Sequence, residues 1–169
     1  MDPYLEQLQH TIDTAISGLS DQQLSWHPAG KWCVAEVLEH LYWTYTGTIK
    51  GFERILASGK STARPRTWAD RGRAFVVVGL GHFPSGRQAP AGARPKGLPR
   101  EKVLAEIVPK ILEMDQVIRQ CEQKVGPGTR LDHPILGPLS LRQWRKFHLV
   151  HGRHHAKQIH RLRSEAAQS

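Results

Sequence analysis

A histidine-rich run near the C-terminus, WRKFHLVHGRHHAKQIHRL, constrains the fold of this chain more than any other segment. Six of the ten histidines lie between His133 and His160. Apolar and imidazole side chains recur there at helical spacing and form one stripe: Leu141, Trp144, His148, His151, His155, Ile159 and Leu162. His151 and His155 are four residues apart, so both imidazoles share one face of a helix. The stripe predicts a helix that packs its histidines against a partner, because buried imidazoles need partners for both nitrogens.

The N-terminal half predicts two more amphipathic helices. Asp2 can cap and Pro3 can start the first helix, whose apolar stripe ends near Gly18. The second helix is predicted over about residues 33–58, and Gly59 is a suitable stop for it. The segment between these helices, SDQQLSWHPAGKW, is rich in turn residues and is predicted to be a connection.

The C-terminal half predicts two further helices. The third should cover residues 100–124, with a kink at Pro109 or a break just before it. A capping box of Ser140 and Gln143 begins the fourth, which runs to about Ala166. The intervening LDHPILGPLS is predicted to be a loop. The sequence therefore predicts an all-α, single-domain (1–169) four-helix bundle with one long crossover insert between helices 2 and 3.

The crossover, residues 60–98, far exceeds the usual bundle connection of about 2–8 residues. Between Lys60 and Arg100, nine basic residues are opposed only by Asp70, so this region carries +8 of the net charge of +9. It is either a solvated Arg-rich connection or a binding segment for nucleic acid, a membrane surface or anionic substrates. Its apolar run AFVVVGLGHF, residues 74–83, predicts a buried strand-like piece or a helical turn across the bundle.

The remaining composition favours a cytoplasmic protein. No apolar window is long enough to cross a membrane, and the N-terminus lacks the basic region and apolar core of a secretory signal. Cys33 and Cys121 form no CxxC pair and are expected to be free thiols. No aromatic interleaving or nucleic-acid motif accompanies the basic segment, so nucleic acid is the least favoured partner.

His40, the histidine of the second helix, is the candidate third ligand. It lies at the border of that helix's buried face, in AEVLEHLYW, and can turn inward. With His151 and His155 it would form a three-histidine metal site that leaves a position open for water or substrate. Two other interpretations stay open. His40 can be a hydrogen-bonded core histidine, and His148 can join His151 and His155 in a set that spans about two turns of one helix.

The stretches WHPAGKWCVAEVLEHL, HPILGPLSLRQW and HGRHH resemble the DinB-like four-helix-bundle superfamily, including its YfiT-type metal-dependent members. The resemblance covers roughly residues 20–58 and 130–165. It implies an up-down-down-up bundle, often dimeric, whose metal is held by the EHL histidine of the second helix and both histidines of an HxxxH in the fourth. These ligands correspond here to His40, His151 and His155. The usual Ser or Thr at the cap of the second helix is Cys33 in this chain.

Activities described for that superfamily include thiol-dependent transfer, as in bacillithiol or mycothiol S-transferases, and proposed hydrolysis. The resemblance therefore implies a metal-dependent transferase or hydrolase, with zinc or nickel as the expected metal and iron, manganese or copper as other candidates. The expected partners are a small-molecule substrate, such as a low-molecular-weight thiol, and a second copy in a homodimer, without a membrane. A non-catalytic bundle that binds a metal or small ligand is the alternative.

Glu36, one turn before His40, is the candidate catalytic residue. It can orient His40 through a hydrogen bond or act as a base. Its other possible role is to complete a capping box with Cys33 at the start of the second helix. The neighbouring Glu39 is expected to be solvated.

Overall fold

The computed structural model describes residues 1–61, 63–83 and 88–168. Most of the chain is helical. Its α-helices are α1 (Pro3–Ile16), α2 (Asp21–Ser25), α3 (Val34–Ser58), α4 (Trp68–Ala74), α5 (Arg100–Lys124) and α6 (Leu141–Ala166). A π-helical turn, Phe75–Gly79, continues α4, a 3-10 turn covers Ala91–Ala93, and two strands, β1 (Arg130–His133) and β2 (Gly137–Ser140), pair with each other. Among the described residues, no helix combines the length and hydrophobicity that a membrane crossing requires.

The four long helices share one hydrophobic core. α3 packs along α5 and α1 along α6, and further contacts join α1 to α5 and α3 to α6. Gly152 of α6 permits the close approach of α1, because a Cβ atom at that position would overlap the side chain of Leu8. The predicted all-α class agrees with this architecture, whereas the four-helix bundle topology, its up-down-down-up order and the crossover insert stay predictions.

The helix ends follow the local sequence signals. The capping box of Ser140 and Gln143 is present, and Gly59 ends α3 in the left-handed region with a φ of 68°. The predicted bounds of the three longest helices are confirmed to within a residue. The connection after α1 was predicted without structure, but it contains the short helix α2. A second capping box, of Ser20 and Gln23, starts this helix and was the signal for it.

Residues 74–79 of the apolar run in the crossover are helical rather than strand-like. Thr67 accepts a hydrogen bond from the Asp70 backbone N–H and starts α4, which passes into the π-helical turn. Val77 and Val78 are buried against the bundle, whereas Phe75 is 61% exposed. One-sided burial is what a short amphipathic helix provides, and a continuous apolar run does not reveal it in advance.

Residues 131–140 were predicted to be a loop, but together with Arg130 they form an antiparallel hairpin in which His133 lies opposite Gly137. The Nδ1 atom of His133 accepts hydrogen bonds from the backbone N–H groups of Ile135 and Leu136, each at 3.1 Å, and so fixes the turn. The strands have only four residues each and contain proline and glycine. Such short strands give no usable alternation of polar and apolar residues.

The helix α5 continues without a break through Pro109. Pro109 and Ala105, whose carbonyl loses its usual donor, are both exposed. Water can replace the missing hydrogen bond there, so the break considered as the alternative to a kink does not occur.

Candidate metal centre

Three imidazoles meet where α3 faces α6. His40 lies on α3, His151 and His155 lie one turn apart on α6, and the three residues are 5%, 5% and 7% exposed. The Nε2 atom of His151 lies 3.2 Å from Nε2 of His40 and 3.0 Å from Nε2 of His155. The fold therefore brings together the three histidines that the sequence singles out.

A backbone carbonyl fixes the tautomer of His40. Its Nδ1 atom lies 2.7 Å from the carbonyl oxygen of Ala93, in the 3-10 turn of the crossover. A carbonyl oxygen only accepts, so Nδ1 carries the proton and donates it. In the neutral ring Nε2 then keeps its lone pair, which faces the other two histidines. Metal-binding histidines commonly have this kind of support on the opposite nitrogen.

Glu39 holds the adjoining part of the crossover on α3. Its carboxylate accepts hydrogen bonds from the backbone N–H groups of Lys96, at 2.7 Å, and Gly97, at 3.1 Å, and from Nε1 of Trp43, at 2.9 Å. The expectation that Glu39 is solvated is wrong, because it is only 3% exposed. Burial raises the pKa of Glu39, but these hydrogen bonds outweigh burial, so the net shift is downward and the carboxylate stays ionised.

His155 has an equivalent support within α6. Its Nδ1 atom lies 3.0 Å from Oε1 of Gln158, three residues later. With the amide oxygen as acceptor, Nδ1 donates the proton and Nε2 again keeps its lone pair. His151 differs, because its Nδ1 atom is buried and has no hydrogen-bond partner among the described residues.

The three nitrogens suit a shared cation. The nitrogens of His40 and His155 both present lone pairs. Without a cation, a single N–H of His151 would have to donate a hydrogen bond to both of them. Two nitrogens bound about 2.0–2.1 Å from one tetrahedral metal lie about 3.3 Å apart. The observed separations of 3.0 Å and 3.2 Å are close to that value. The donor set therefore fits a divalent transition metal, for which neutral imidazole is a preferred ligand.

Burial keeps these imidazoles in the neutral form that binds metals. It lowers the pKa of His40 and is the main cause of the lowered pKa of His151. The pKa of His155 falls to about 3, first through burial and then through the charge of His40. Protons therefore compete weakly for these nitrogens near neutral pH.

Aromatic rings surround the histidine group. The ring of Trp32 lies 5.3 Å from that of His40, and Phe147 stacks on His151 at 5.3 Å. The ring of Phe83, from the crossover, also lies 5.1 Å from that of His151. These rings restrict the access of water to the group.

A cleft of about 490 Å³ adjoins the histidine group, between α1, α6 and residues 81–83. Phe83 lines this cleft and contacts His151, while His154 lines it and packs edge-on against His155 at 5.0 Å. Its lining also carries two cations, Arg153 and Lys157. Phe83 and His154 thus border both the cleft and the histidine group, and the cleft has positively charged lining residues.

His148 lies outside the group, although it belongs to the same stripe. Its Nε2 atom lies 3.0 Å from the hydroxyl oxygen of Thr48, and its ring packs against Tyr45 at 5.4 Å. Burial lowers its pKa to about 3. The structure therefore does not assemble the alternative set in which His148 joins His151 and His155.

A second group of potential ligands, His27, Cys33 and Glu36, lies at the start of α3, and its donor atoms are within 4.8 Å of one another. Glu36 accepts the backbone N–H of Cys33 at 2.9 Å and lies 3.6 Å from Nδ1 of His27. Glu36 thus caps the helix, and His40 donates to Ala93 instead. A catalytic role for Glu36 stays a prediction.

Three supporting residues, Ala93, Glu39 and Gln158, were not predicted from the sequence. Ala93 contributes only its backbone carbonyl, which every residue has, so no side-chain pattern marks it. Glu39 stands next to His40 in the sequence, but its burial depends on chain more than fifty residues away. The Gln158 support was detectable, because it lies three residues after His155 on the same helix.

The fold and the site define a mostly helical protein with a buried group of three histidines supplied by two helices. The family model of the DinB superfamily matches residues 4–159, and the chain belongs to that superfamily. The match spans both helices that supply the histidines and confirms the resemblance drawn from the sequence. Comparison with curated proteins and with solved structures finds no match.

Proposed function

We propose that this protein is a metal-dependent enzyme of the thiol S-transferase or hydrolase type. His40, His151 and His155 would hold one divalent transition metal, with zinc or nickel favoured. The observation that carries the proposal is the convergence of three buried Nε2 atoms, two of which have lone pairs fixed by hydrogen bonds on the opposite nitrogen. The predicted up-down-down-up bundle, which sets α3 opposite α6, is part of this proposal.

Three neutral imidazoles leave room in the coordination sphere for one more ligand. A metal bound there would favour ionisation of a bound water or thiol near neutral pH. The residues around it supply the rest of the chemistry. The Ala93 carbonyl and Gln158 hold the protons of His40 and His155 on the nitrogens that face away from the metal. Trp32, Phe83 and Phe147 limit access of bulk water.

The cleft beside the group favours a thiol over water as the nucleophile. Arg153 and Lys157 line it, and both attract a carboxylate. Low-molecular-weight thiols of cells commonly carry carboxylates. A thiol held in this cleft by its carboxylate would reach the histidine group past Phe83 and His154, which border both.

Metal analysis by mass spectrometry tests the ligand set. Untagged wild-type protein is expected to hold about one metal per chain, as a three-histidine site requires. His40→Ala, His151→Ala and His155→Ala should each lose it. His160→Ala changes an exposed imidazole on the same helix and is the matched control. Full metal content in His40→Ala would overturn the ligand set.

Turnover assays test the reaction type. Metal-loaded protein is offered thiols with electrophiles, and ester or amide substrates, with His151→Ala as the inactive control. Arg153→Gln should raise the KM for a carboxylated thiol such as glutathione and leave that for 2-mercaptoethanol unchanged. Stoichiometric metal without turnover on any panel would contradict an enzyme and favour the non-catalytic alternative.

A further inference from the structure

A second cleft, of about 460 Å³, lies between α4 with its π-helical turn and the N-terminal ends of α1 and α6. Its size falls within the usual range of about 300–1,000 Å³ for small-molecule sites. Its lining combines four cations with two aromatic rings: Arg66, Arg71, Arg142, Lys146, Tyr4 and Phe75. No acidic side chain lines the cleft in the described part of the chain.

The nearby acid, Asp70, forms its hydrogen bonds and ion pairs with residues other than these four cations. Its carboxylate accepts bonds from both terminal nitrogens of Arg64, at 2.7 Å and 2.9 Å, from Arg73, at 2.6 Å, and from the backbone N–H of Thr67, at 2.9 Å. Asp70 is fully buried, and the Arg64 guanidinium holds its pKa well below the usual range. The carboxylate is therefore fully used by groups outside the cleft.

Arg66 has an unused donor. Its Nε atom is buried and has no hydrogen-bond partner among the described residues. Burial is the main cause of the lowered pKa of Arg66. The positive charges of Arg130 and Arg71 lower it further, and the charge of Asp70 opposes them without reversing the shift. A buried charged donor without an acceptor is costly, so an anion that accepts from Nε would stabilise this arrangement.

The cations on α6 are also weakly held. Arg142 lies 3.4 Å from the hydroxyl of Tyr4, and Lys146 lies 3.3 Å from the carbonyl oxygen of Gly79. Neither takes part in a recorded ion pair among the residues that the structure describes. Arg142 stands in the first turn of α6, a helix of 26 residues, whose N-terminus favours nearby negative charge.

This cleft is separate from the histidine group. Lys146, the lining residue nearest to the histidine group along α6, precedes His151 by five residues, about 7.5 Å along the helix axis. No lining residue of the cleft belongs to the histidine group or to the cleft beside it. A ligand here would therefore leave the metal ligands untouched.

We propose that this cleft binds the phosphate groups of a small phosphorylated organic molecule. Guanidinium groups match phosphate oxygens in geometry as well as charge, and several converging cations favour an anion with more than one negative charge. Arg66 donates to a phosphate oxygen through Nε. Phe75, which is 61% exposed, provides the apolar surface for the organic part.

Calorimetric titration of the full chain with pyrophosphate tests the anion site. Wild-type protein is expected to bind one pyrophosphate, and Arg66→Gln and Arg142→Gln should each weaken binding by about tenfold, the effect of losing a charged hydrogen bond. Arg54→Gln removes the same charge from an exposed position on α3 and should change the affinity by less than about twofold. Thermal melts of the variants verify their folding.

Three outcomes would overturn the proposal. The first is wild-type affinity in both Arg66→Gln and Arg142→Gln, or an equal loss in Arg54→Gln. The second is that adenosine diphosphate binds no more tightly than pyrophosphate and keeps its affinity in Phe75→Ala. That result would contradict recognition of the organic part of the ligand. The third is tighter binding of a single-stranded oligonucleotide that is lost in Trp68→Ala, since Trp68 is 83% exposed and lies outside the cleft lining.

Discussion

Two groups of potential metal ligands lie on or beside the first turns of α3, and they differ in the hydrogen bonds that their side chains already form. In the group of His40, His151 and His155, the opposite nitrogens of two rings donate to oxygen acceptors, so Nε2 of His40 and Nε2 of His155 keep their lone pairs, which face Nε2 of His151. In the group of His27, Cys33 and Glu36, the carboxylate caps the helix. Burial and the charge of Glu36 also raise the pKa of the Cys33 thiol.

The difference teaches that ligand residue types within reach of one another do not make a site. The first group is buried and its lone pairs are directed inward before any metal arrives. In the second, the side chain of His27 is 56% exposed and that of Glu36 is 34% exposed. Nδ1 of His27 lies 3.4 Å from the carbonyl oxygen of Lys31, and Glu36 accepts the Cys33 N–H. A candidate binding site is distinguished from a helix cap by ligand atoms whose lone pairs are preorganised and accept no backbone N–H.

The largest expected effect comes from removing the central histidine. His151→Ala should weaken metal binding by about three orders of magnitude, because a site with two remaining imidazoles loses its chelate. Competition against a chelating dye measures the affinity. Cys33→Ser changes the other group and should leave the affinity within threefold; an equal loss in both variants would erase the distinction between the groups.

A smaller effect is expected from releasing the crossover. Glu39→Ala removes the acceptor that holds the backbone of residues 96 and 97, so the Ala93 carbonyl no longer fixes His40. Metal affinity should fall by about 10- to 100-fold, the usual cost of losing a ligand's support. Trp43→Phe removes only the indole bond to Glu39 and is the control. Unchanged affinity in Glu39→Ala would show that the free lone pair of His40 does not depend on the crossover.

The pH dependence of stability tests how far burial controls the imidazoles of α6. The pKa of His148 is about 3 in the folded protein, against an ordinary 6.5, so the unfolded state binds this proton first as the pH falls below 6.5. The free energy of unfolding therefore decreases by about 1.4 kcal/mol per pH unit for such a group, between the two pKa values. His148→Gln should make the slope shallower by that amount.

Urea denaturation of chelator-treated protein between pH 4.5 and 7 measures this slope. The slope, rather than the stability at one pH, is the readout, since the substitution also changes the core. His10→Gln, which alters an exposed imidazole on α1, is the matched control. A wild-type slope in His148→Gln would contradict the lowered pKa.

The smallest effect is expected at the helix cap. Cys33→Ser places a preferred capping residue at the start of α3, while some burial of the sulfur is lost. The free energy of unfolding should change by less than about 1 kcal/mol, measured by urea denaturation of the metal-loaded protein. A large loss would show that the thiol does more than occupy the cap.

The sequence predicted the long helices and the histidines because both follow from local rules. Helical spacing, capping boxes and Gly59 define the bounds of α3 and α6, and the stripe on α6 indicates which imidazoles face inward. The position of His40 at the border of a buried face did not by itself identify it as a ligand. The resemblance to the DinB superfamily supported that prediction as well. Two local signals, the α2 capping box and the Gln158 support, were present but went unused.

What the sequence did not predict depends on contacts between distant segments. The burial of Glu39 needs the N–H groups of residues 96 and 97, and that of Asp70 needs Arg64 to fold back on it. In the sequence both carboxylates look like ordinary charged side chains. The short hairpin at residues 130–140 is likewise fixed by His133 accepting from the turn, a contact that no propensity describes.

The hydrogen bond between His40 and Ala93 would make the crossover a partner in the proposed metal binding. Any equilibrium that releases residues 93–97 from α3 would lower the affinity of the histidines for the proposed metal, and by thermodynamic reciprocity a bound metal would oppose that release by the same factor. The amide-exchange protection of these few residues would then increase with metal occupancy and could be used to measure it. The loop would report on the ion without supplying a single ligand to it.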